Sequence, residues 1–226
     1  MKISTRLSAI ADMVRHTEVV DVGTDHAYLP IHLAKTCKAQ RVIATDIAIG
    51  PLERATENVL QHGVGDVVET RLCNGLEGIL TSDDATCIIA GMGGMLIIDI
   101  LKQNLSVALS FKQLIFSPQR DVPHLRHFLH NSGFAIDNEM LLENAGRFYH
   151  ILDCSVGTQM PFSNEGYLFG EHLINSNSAE FAKYLHSEAV KTTAALTNVA
   201  IRSPRYLELQ GYLQLCSRLT SEVLHD

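Results

Sequence analysis

An open α/β sheet of parallel strands, ending in an antiparallel edge and followed by a small helical region, is the fold class this sequence predicts. Three observations carry it. Apolar runs alternate with helical patterns through about residue 133, which is how βαβ units read in sequence. Two adjacent strand-like segments, 134–142 and 147–156, then follow, joined by Glu143-Asn144-Ala145-Gly146, a hairpin signal. Beyond Gly157-Thr158-Gln159-Met160-Pro161 the chain turns helical, with Phe181, Leu185, Ala189, Leu196 and Val199 at near-helical spacing.

The elements follow in order. Ser4 or Thr5 can cap a first helix that places Leu7, Ile10, Ala11 and Val14 on one face. A buried strand is expected at 18–22, with its helix at 27–37. The second strand, 41–46, leads through Gly50-Pro51 into a helix ending near 62. Strands at 67–72, 86–90 and 112–117 follow, the last two succeeded by helices at 92–103 and 121–132. In the C-terminal region Ser203-Pro204 interrupts the helical pattern, after which Leu209, Leu213, Cys216 and Val223 recur at helical spacing. That reads as a helical hairpin whose apolar stripes bury each other. The expected division is 1–157 for the sheet domain and 158–226 for the helical one.

Composition bounds the chemistry. The chain has 226 residues, of which 46% are hydrophobic, enough for a buried core. Its formal charge of −7 argues weakly against nucleic-acid binding, although a local basic stripe would suffice for it. Five cysteines, without C-x-x-C spacing, favour reduced thiols over disulfides or a zinc cluster. The first residues carry no apolar signal segment, and no apolar run reaches membrane-spanning length. A cytoplasmic protein with no membrane or metal partner is expected; the sequence assigns no oligomeric state.

The most informative stretch is Val19-Val20-Asp21-Val22-Gly23-Thr24-Asp25-His26-Ala27-Tyr28-Leu29-Pro30: a strand, a glycine turn and a helix start. Open α/β sheets bind nucleotide-like cofactors at this point, the carboxyl end of the first strand. Where a dinucleotide fingerprint would place its second glycine, the chain has Asp25. A pyrophosphate beside that carboxylate would meet a repulsion of about 4 kcal/mol at ~4 Å and an effective dielectric of ~20. S-adenosylmethionine carries no phosphate, and its sulfonium and ammonium are positive. The turn therefore suits that ligand and disfavours NAD. The alternative is a tight strand–helix connection with Asp25 as a cap.

Three further sites lie on the same rim. Asp46 ends the second strand, where a carboxylate can accept from both ribose hydroxyls or else cap a turn. Asn74, Gly75 and Leu76 follow the third strand, where an adenine would lie, with Asn74 on its edge and Leu76 on its face. Ala90, Gly91, Met92 and Gly93 end the fourth strand, where glycines allow close approach of a ligand or tight packing. The candidate cofactor set is thus Asp21, Gly23, Thr24, Asp25, Leu29, Asp46, Ile47, Asn74, Gly75, Leu76, Ala90, Gly91, Met92 and Gly93. Ser117, Gln119 and Arg120 end the fifth strand, and Arg126 stands in the histidine-rich helix after it. These four are candidate substrate contacts, and Arg120, Arg126 and the three histidines of that helix form a basic stretch able to hold phosphates. The other reading of that helix is amphipathic packing with its basic groups in solvent. A zinc motif, a P-loop and a nucleophile elbow are all missing from the sequence.

With these residues in hand, the chain resembles the bacterial tRNA adenine-N1 methyltransferase family that modifies position 22. Asp21-Val-Gly-Thr-Asp-His-Ala-Tyr-Leu-Pro30, Asn74-Gly75-Leu76, Ala90-Gly-Met-Gly-Gly94 and the helical C-terminus carry the resemblance. It implies a Rossmann-like methyltransferase sheet with an antiparallel terminal strand, a coiled-coil-like C-terminal domain, S-adenosylmethionine as cofactor and tRNA as partner. Two features depart from the family. Ser117-Pro118-Gln119 stands where Q-P-N is usual, and the region from 158 onward holds five Lys/Arg against seven Asp/Glu. On this reading Asp25, His26 and Tyr28 are the catalytic candidates: Tyr28 to stack on an extruded base, Asp25 to offset positive charge on it, His26 to accept a proton. Asp25 and His26 can equally serve cofactor binding and turn formation alone. Other readings are a methyltransferase of another RNA or a small molecule, and a non-catalytic cofactor- or RNA-binding module.

Overall fold

The computed structural model describes residues 3–144 and 146–225. Its core is a seven-stranded sheet in the order β3-β2-β1-β4-β5-β7-β6. The strands are β1 (Glu18–Val22), β2 (Arg41–Asp46), β3 (Val68–Leu72), β4 (Ala85–Ala90), β5 (Gln113–Ser117), β6 (Phe134–Asn144) and β7 (Arg147–Val156). The first five run parallel, and β7 lies antiparallel on β5 with Ile115 opposite Asp153. The chain order reverses between β1 and β4, which opens a crevice at the strand ends there.

Sequence explains the central strands. Val19, Val20, Val42, Ile43, Cys87, Ile88, Leu114 and Ile115 are all fully buried, as expected of strands covered on both faces. The helices are α1 (Thr5–Met13), α2 (Tyr28–Lys35), α3 (Ile49–Gln61), α4 (Gly94–Gln103), the short α5 (Leu105–Ala108) and α6 (Val122–Asn131). Ser4 caps α1 by accepting from the Leu7 amide at 3.3 Å. Ile10, Ala11, Ile31 and Leu33 bring α1 and α2 into the core around β1 and β2. Of the expected hairpin tip, Ala145 lies outside the described residues.

The chain divides into two compact units: residues 1–144 with 149–161, and residues 145–148 with 162–226. The second contains a π-helical turn (Gly166–Gly170), α7 (Glu171–Asn175), α8 (Ala179–Leu196) and α9 (Pro204–His225). Ser178 caps α8 through the Phe181 amide. Phe169, Phe181, Leu185, Leu209, Cys216 and Leu219 form its interior. Phe169 stacks on Tyr212 with centroids 5.2 Å apart, and the Tyr212 hydroxyl donates to Glu188 at 3.3 Å. All five cysteines are free thiols. Among the described residues, no helix is long and apolar enough to cross a membrane, and no cluster of His, Cys, Asp or Glu is arranged to hold a metal ion.

Candidate active site

The turn after β1 is held in an unusual backbone. Gly23, Asp25 and Ala27 all have positive φ (74°, 50° and 55°), so the chain alternates through left-handed positions before entering α2. For Asp25 and Ala27 that conformation is costly, and it persists because the surroundings fix it. The Gly23 and Thr24 amides both donate to the Thr45 carbonyl, at 2.8 and 2.9 Å, and the Ala27 amide donates to the Thr24 carbonyl. Asp46 completes the clamp: its carboxylate accepts from the amides of Asp25 (3.3 Å) and Ala48 (2.9 Å).

Two cavities meet at Gly23. One, of about 320 Å³, is lined by Arg6, Leu7, Asp21, Gly23, Thr24, Asp25, His26, Tyr28, Leu29, Ala90, Gly91 and Gln119. The other, of about 210 Å³, is lined mainly by Val22, Ile47, Met92, Leu96 and Ile100, with Thr45, Asp46, Cys73, Asn74 and Gly75 adding polar atoms and backbone. Met92 lies over Gly23: a Cβ there would stand well inside contact distance of the Met92 methyl. The first cavity is polar and acidic, the second mostly apolar.

Asp21 is the buried acid at the base of the first cavity. Thr24 Oγ1 donates to it at 2.6 Å. Burial, with a smaller push from the neighbouring Asp46 charge, raises its carboxyl to about 6. Asp25 is exposed, and its carboxylate lies 3.6 Å from both Arg54 Nη2 and His26 Nε2. His26 stacks on the half-exposed Tyr28 ring, centroids 5.2 Å apart and planes 14° from parallel.

The loops after β4 and β5 are laced together. The Gly91 amide donates to the Ser117 carbonyl, the Gln119 amide to the Met92 carbonyl, and the Gly94 amide to the Arg120 carbonyl. A Cβ at Gly94 would come within 2.6 Å of the Asp121 carbonyl oxygen, so this glycine answers a packing need.

Residues 3–152 match the family described as a methyltransferase domain. A Streptococcus pneumoniae structure, named as a candidate tRNA (m1A22) methyltransferase in complex with S-adenosyl-L-methionine, superposes with a TM-score of 0.89 at 34% identity, covering 97% of this chain and all of that one. The chain belongs to the tRNA (m1A22) methyltransferase family. The Bacillus subtilis tRNA (adenine(22)-N(1))-methyltransferase is 29% identical over 97% of this chain and 94% of its own length. The Mycoplasma capricolum TrmK structure, in complex with S-adenosylhomocysteine, gives a TM-score of 0.86 at 26% identity, covering 99% and 100% of the two chains.

Within this methyltransferase fold, the crevice brings together most of the residues expected from sequence. Asp21, Gly23, Thr24, Asp25, His26, Tyr28, Leu29, Ala90, Gly91 and Gln119 line one cavity, and Asp46, Ile47, Asn74, Gly75 and Met92 the other. Five residues line neither cavity. Leu76 is fully buried and cannot offer its face to a base; Ile47, Leu96 and Ile100 supply the apolar wall instead. Gly93 packs against the Arg120 side chain. Ser117 is 1% exposed beneath the rim. Arg126 is fully buried, its Nε 2.7 Å from Glu139 Oε1, so it cannot reach a phosphate at the surface. The burial differs from both sequence expectations, a phosphate contact and a solvent-facing basic group, because Glu139 pairs with Arg126 in the interior. Arg120 does reach solvent, with 81% of its side chain exposed. Sequence reasoning missed Arg6, which enters the first cavity from α1, and the wall residues Leu96 and Ile100 of α4. Their spacing from the glycine turn carries no local signal, since only tertiary packing brings them there.

Proposed function

We propose that this crevice binds S-adenosylmethionine and that the chain methylates N1 of adenine 22 in tRNA, in the cytoplasm. The observation that carries the reading is the pair of cavities joined at Gly23, one acidic and polar, the other apolar with Asn74 at its edge. That division matches a ligand with a cationic amino-acid end and a flat base. When bound, the cofactor supplies an electrophilic methyl group on its sulfonium.

The chain's residues do the rest. Asp21 faces the ammonium. Asp46 accepts from the ribose hydroxyls, and its existing bonds to the Asp25 and Ala48 amides hold it in place for that task. Ile47, Leu96 and Ile100 enclose the base while Asn74 addresses its edge. Met92, unbranched and adaptable, lies over Gly23 where the two cavities meet and would border a ligand held there.

The acceptor adenine leaves its stack, since N1 lies on its pairing edge. The exposed Tyr28 ring, already paired with His26, gives it a surface to stack on. N1 brings its own lone pair, so no base is needed before attack, and placement dominates the rate. Asp25 offsets the positive charge that grows on the ring, and His26 takes the N6 proton. Arg120, exposed beside the crevice, contacts the tRNA backbone.

The test is incubation of an unmodified tRNA transcript, and of the same transcript with guanine at position 22, with methyl-labelled cofactor. Mass spectrometry should place one methyl on A22 and none on the variant. Label found only at another nucleotide, in protein or in small metabolites would overturn the assignment.

A further inference from the structure

We propose that Arg6 is the anchor for the carboxylate of the cofactor's amino-acid tail, an inference that rests on the cofactor reading above. Arg6 lies on α1, with three strands between it and β4 in sequence, yet its guanidinium lines the acidic cavity. Its Nη1 is buried without a hydrogen-bond partner. A buried, unpaired guanidinium N–H is costly, and the cost is recovered when an anion fills the space in front of it.

The geometry defines that space. The point where a Cβ would stand on Gly91 is 3.6 Å from both Arg6 Nη1 and Nη2, and 3.9 Å from Gln119 Nε2. Three side-chain nitrogens thus converge on one spot, and glycine (φ +85°) keeps it open. The Tyr149 ring holds the guanidinium from one side, 5.4 Å from its centroid, which leaves the edge N–H groups directed elsewhere. Asp21 and Asp25 are the acids of the same cavity. A zwitterion fits this pattern: ammonium toward Asp21, carboxylate toward Arg6 and Gln119. A polynucleotide phosphate does not, because the buried Nη1 lies out of reach of a bulky backbone.

Calorimetry on the full chain separates these roles. The ligands are S-adenosylhomocysteine, which carries the tail, and 5′-methylthioadenosine, which lacks it. Arg6→Gln should weaken S-adenosylhomocysteine about 10- to 100-fold, the range of a charge-assisted hydrogen bond, and change methylthioadenosine by less than about threefold. Retained methylthioadenosine binding also shows that the variant is folded. Arg6→Lys should recover part of the loss. Equal loss of both ligands would make Arg6 merely structural and overturn the proposal. So would unchanged S-adenosylhomocysteine affinity, or a loss confined to tRNA in filter binding. If the unaltered chain bound neither ligand, the cofactor reading itself would fall, a result distinct from the failure of Arg6 alone.

Discussion

Replacing Asp21 with asparagine should stabilise the fold at neutral pH while weakening cofactor binding. The carboxyl of Asp21 is raised from 3.8 to about 6 by burial, with the Asp46 charge adding to it. A group whose pKa is higher in the folded chain favours folding fully below its unfolded value. That contribution is lost as pH rises through the folded value. At about 1.36 kcal/mol per pKa unit, the gap between 3.8 and 6 corresponds to about 3 kcal/mol. Asparagine keeps an oxygen to accept from Thr24 Oγ1 but cannot ionise. The stability difference, variant minus wild type, should therefore grow by about 3 kcal/mol between pH 4 and pH 7 and then level off. His150 acts in the opposite sense. Burial lowers it to about 3, so its contribution is present above 6.5 and lost as pH falls. Because His150 is the same in both proteins, its effect cancels in the difference. Urea titrations of both proteins at pH 4, 5, 6 and 7.5 read the quantity directly. In parallel, wild-type affinity for S-adenosylhomocysteine should rise with pH through about 6 as Asp21 ionises, and the variant should lack that step. A stability difference that did not vary with pH would refute the claim that burial raises the Asp21 carboxyl.

Two further substitutions probe the packing around the site. Gly23→Ala forces a side chain into a left-handed position, costing about 1–2 kcal/mol, and drives its methyl into Met92 where the two cavities meet. Denaturation should show that modest loss and calorimetry at least a tenfold weaker hold on S-adenosylhomocysteine, about 1.4 kcal/mol; full affinity would mean the ligand does not cross Gly23. Arg126→Ala leaves Glu139 charged in the interior and should cost about 3–5 kcal/mol in urea titration, with turnover per folded molecule unchanged. Much of that loss should return when Glu139→Leu is added, because the orphaned charge is then gone.

How far sequence reached depends on the range of the forces involved. β1 and β2 fall at 18–22 and 41–46 as expected, because a strand buried on both faces announces itself in a continuous apolar run. The antiparallel edge was legible from a hairpin signal, which is local chemistry. By contrast, α4 begins at Gly94 rather than near 92, since residues 91–94 are hydrogen-bonded to the loop at 117–120. Nothing within the segment foretells that partner. Arg126 looked like one basic group in a histidine-rich helix, but Glu139 of β6 draws it inward. Leu76 has the apolar character expected of a wall for the base, and it is taken by the core instead. Arg6 is the clearest gap, a charged residue on an ordinary amphipathic helix whose role depends wholly on where α1 packs.

The folded chain discriminates between cofactors by other means than the Asp25 carboxylate alone. From sequence, Asp25 was the acid that would repel a diphosphate. In the folded chain Asp25 is exposed and lies 3.6 Å from Arg54 Nη2, so solvent and that cation screen its field toward the turn. What disfavours a diphosphate is the backbone. Dinucleotide sites aim free amides of the glycine turn at the phosphates. Here the Gly23 and Thr24 amides are committed to the Thr45 carbonyl, the Asp25 amide to Asp46 and the Ala27 amide to the Thr24 carbonyl. Asp21 and Asp46 then supply negative charge in the crevice itself. Asp25→Asn should therefore leave S-adenosylhomocysteine affinity within about threefold and create no binding of NAD. If Asp25 offsets charge on the acceptor base, the same variant should lower kcat on tRNA about tenfold, or about 1.4 kcal/mol. Unchanged turnover would remove Asp25 from the chemistry, and NAD binding to the variant would return the burden of selectivity to that one carboxylate.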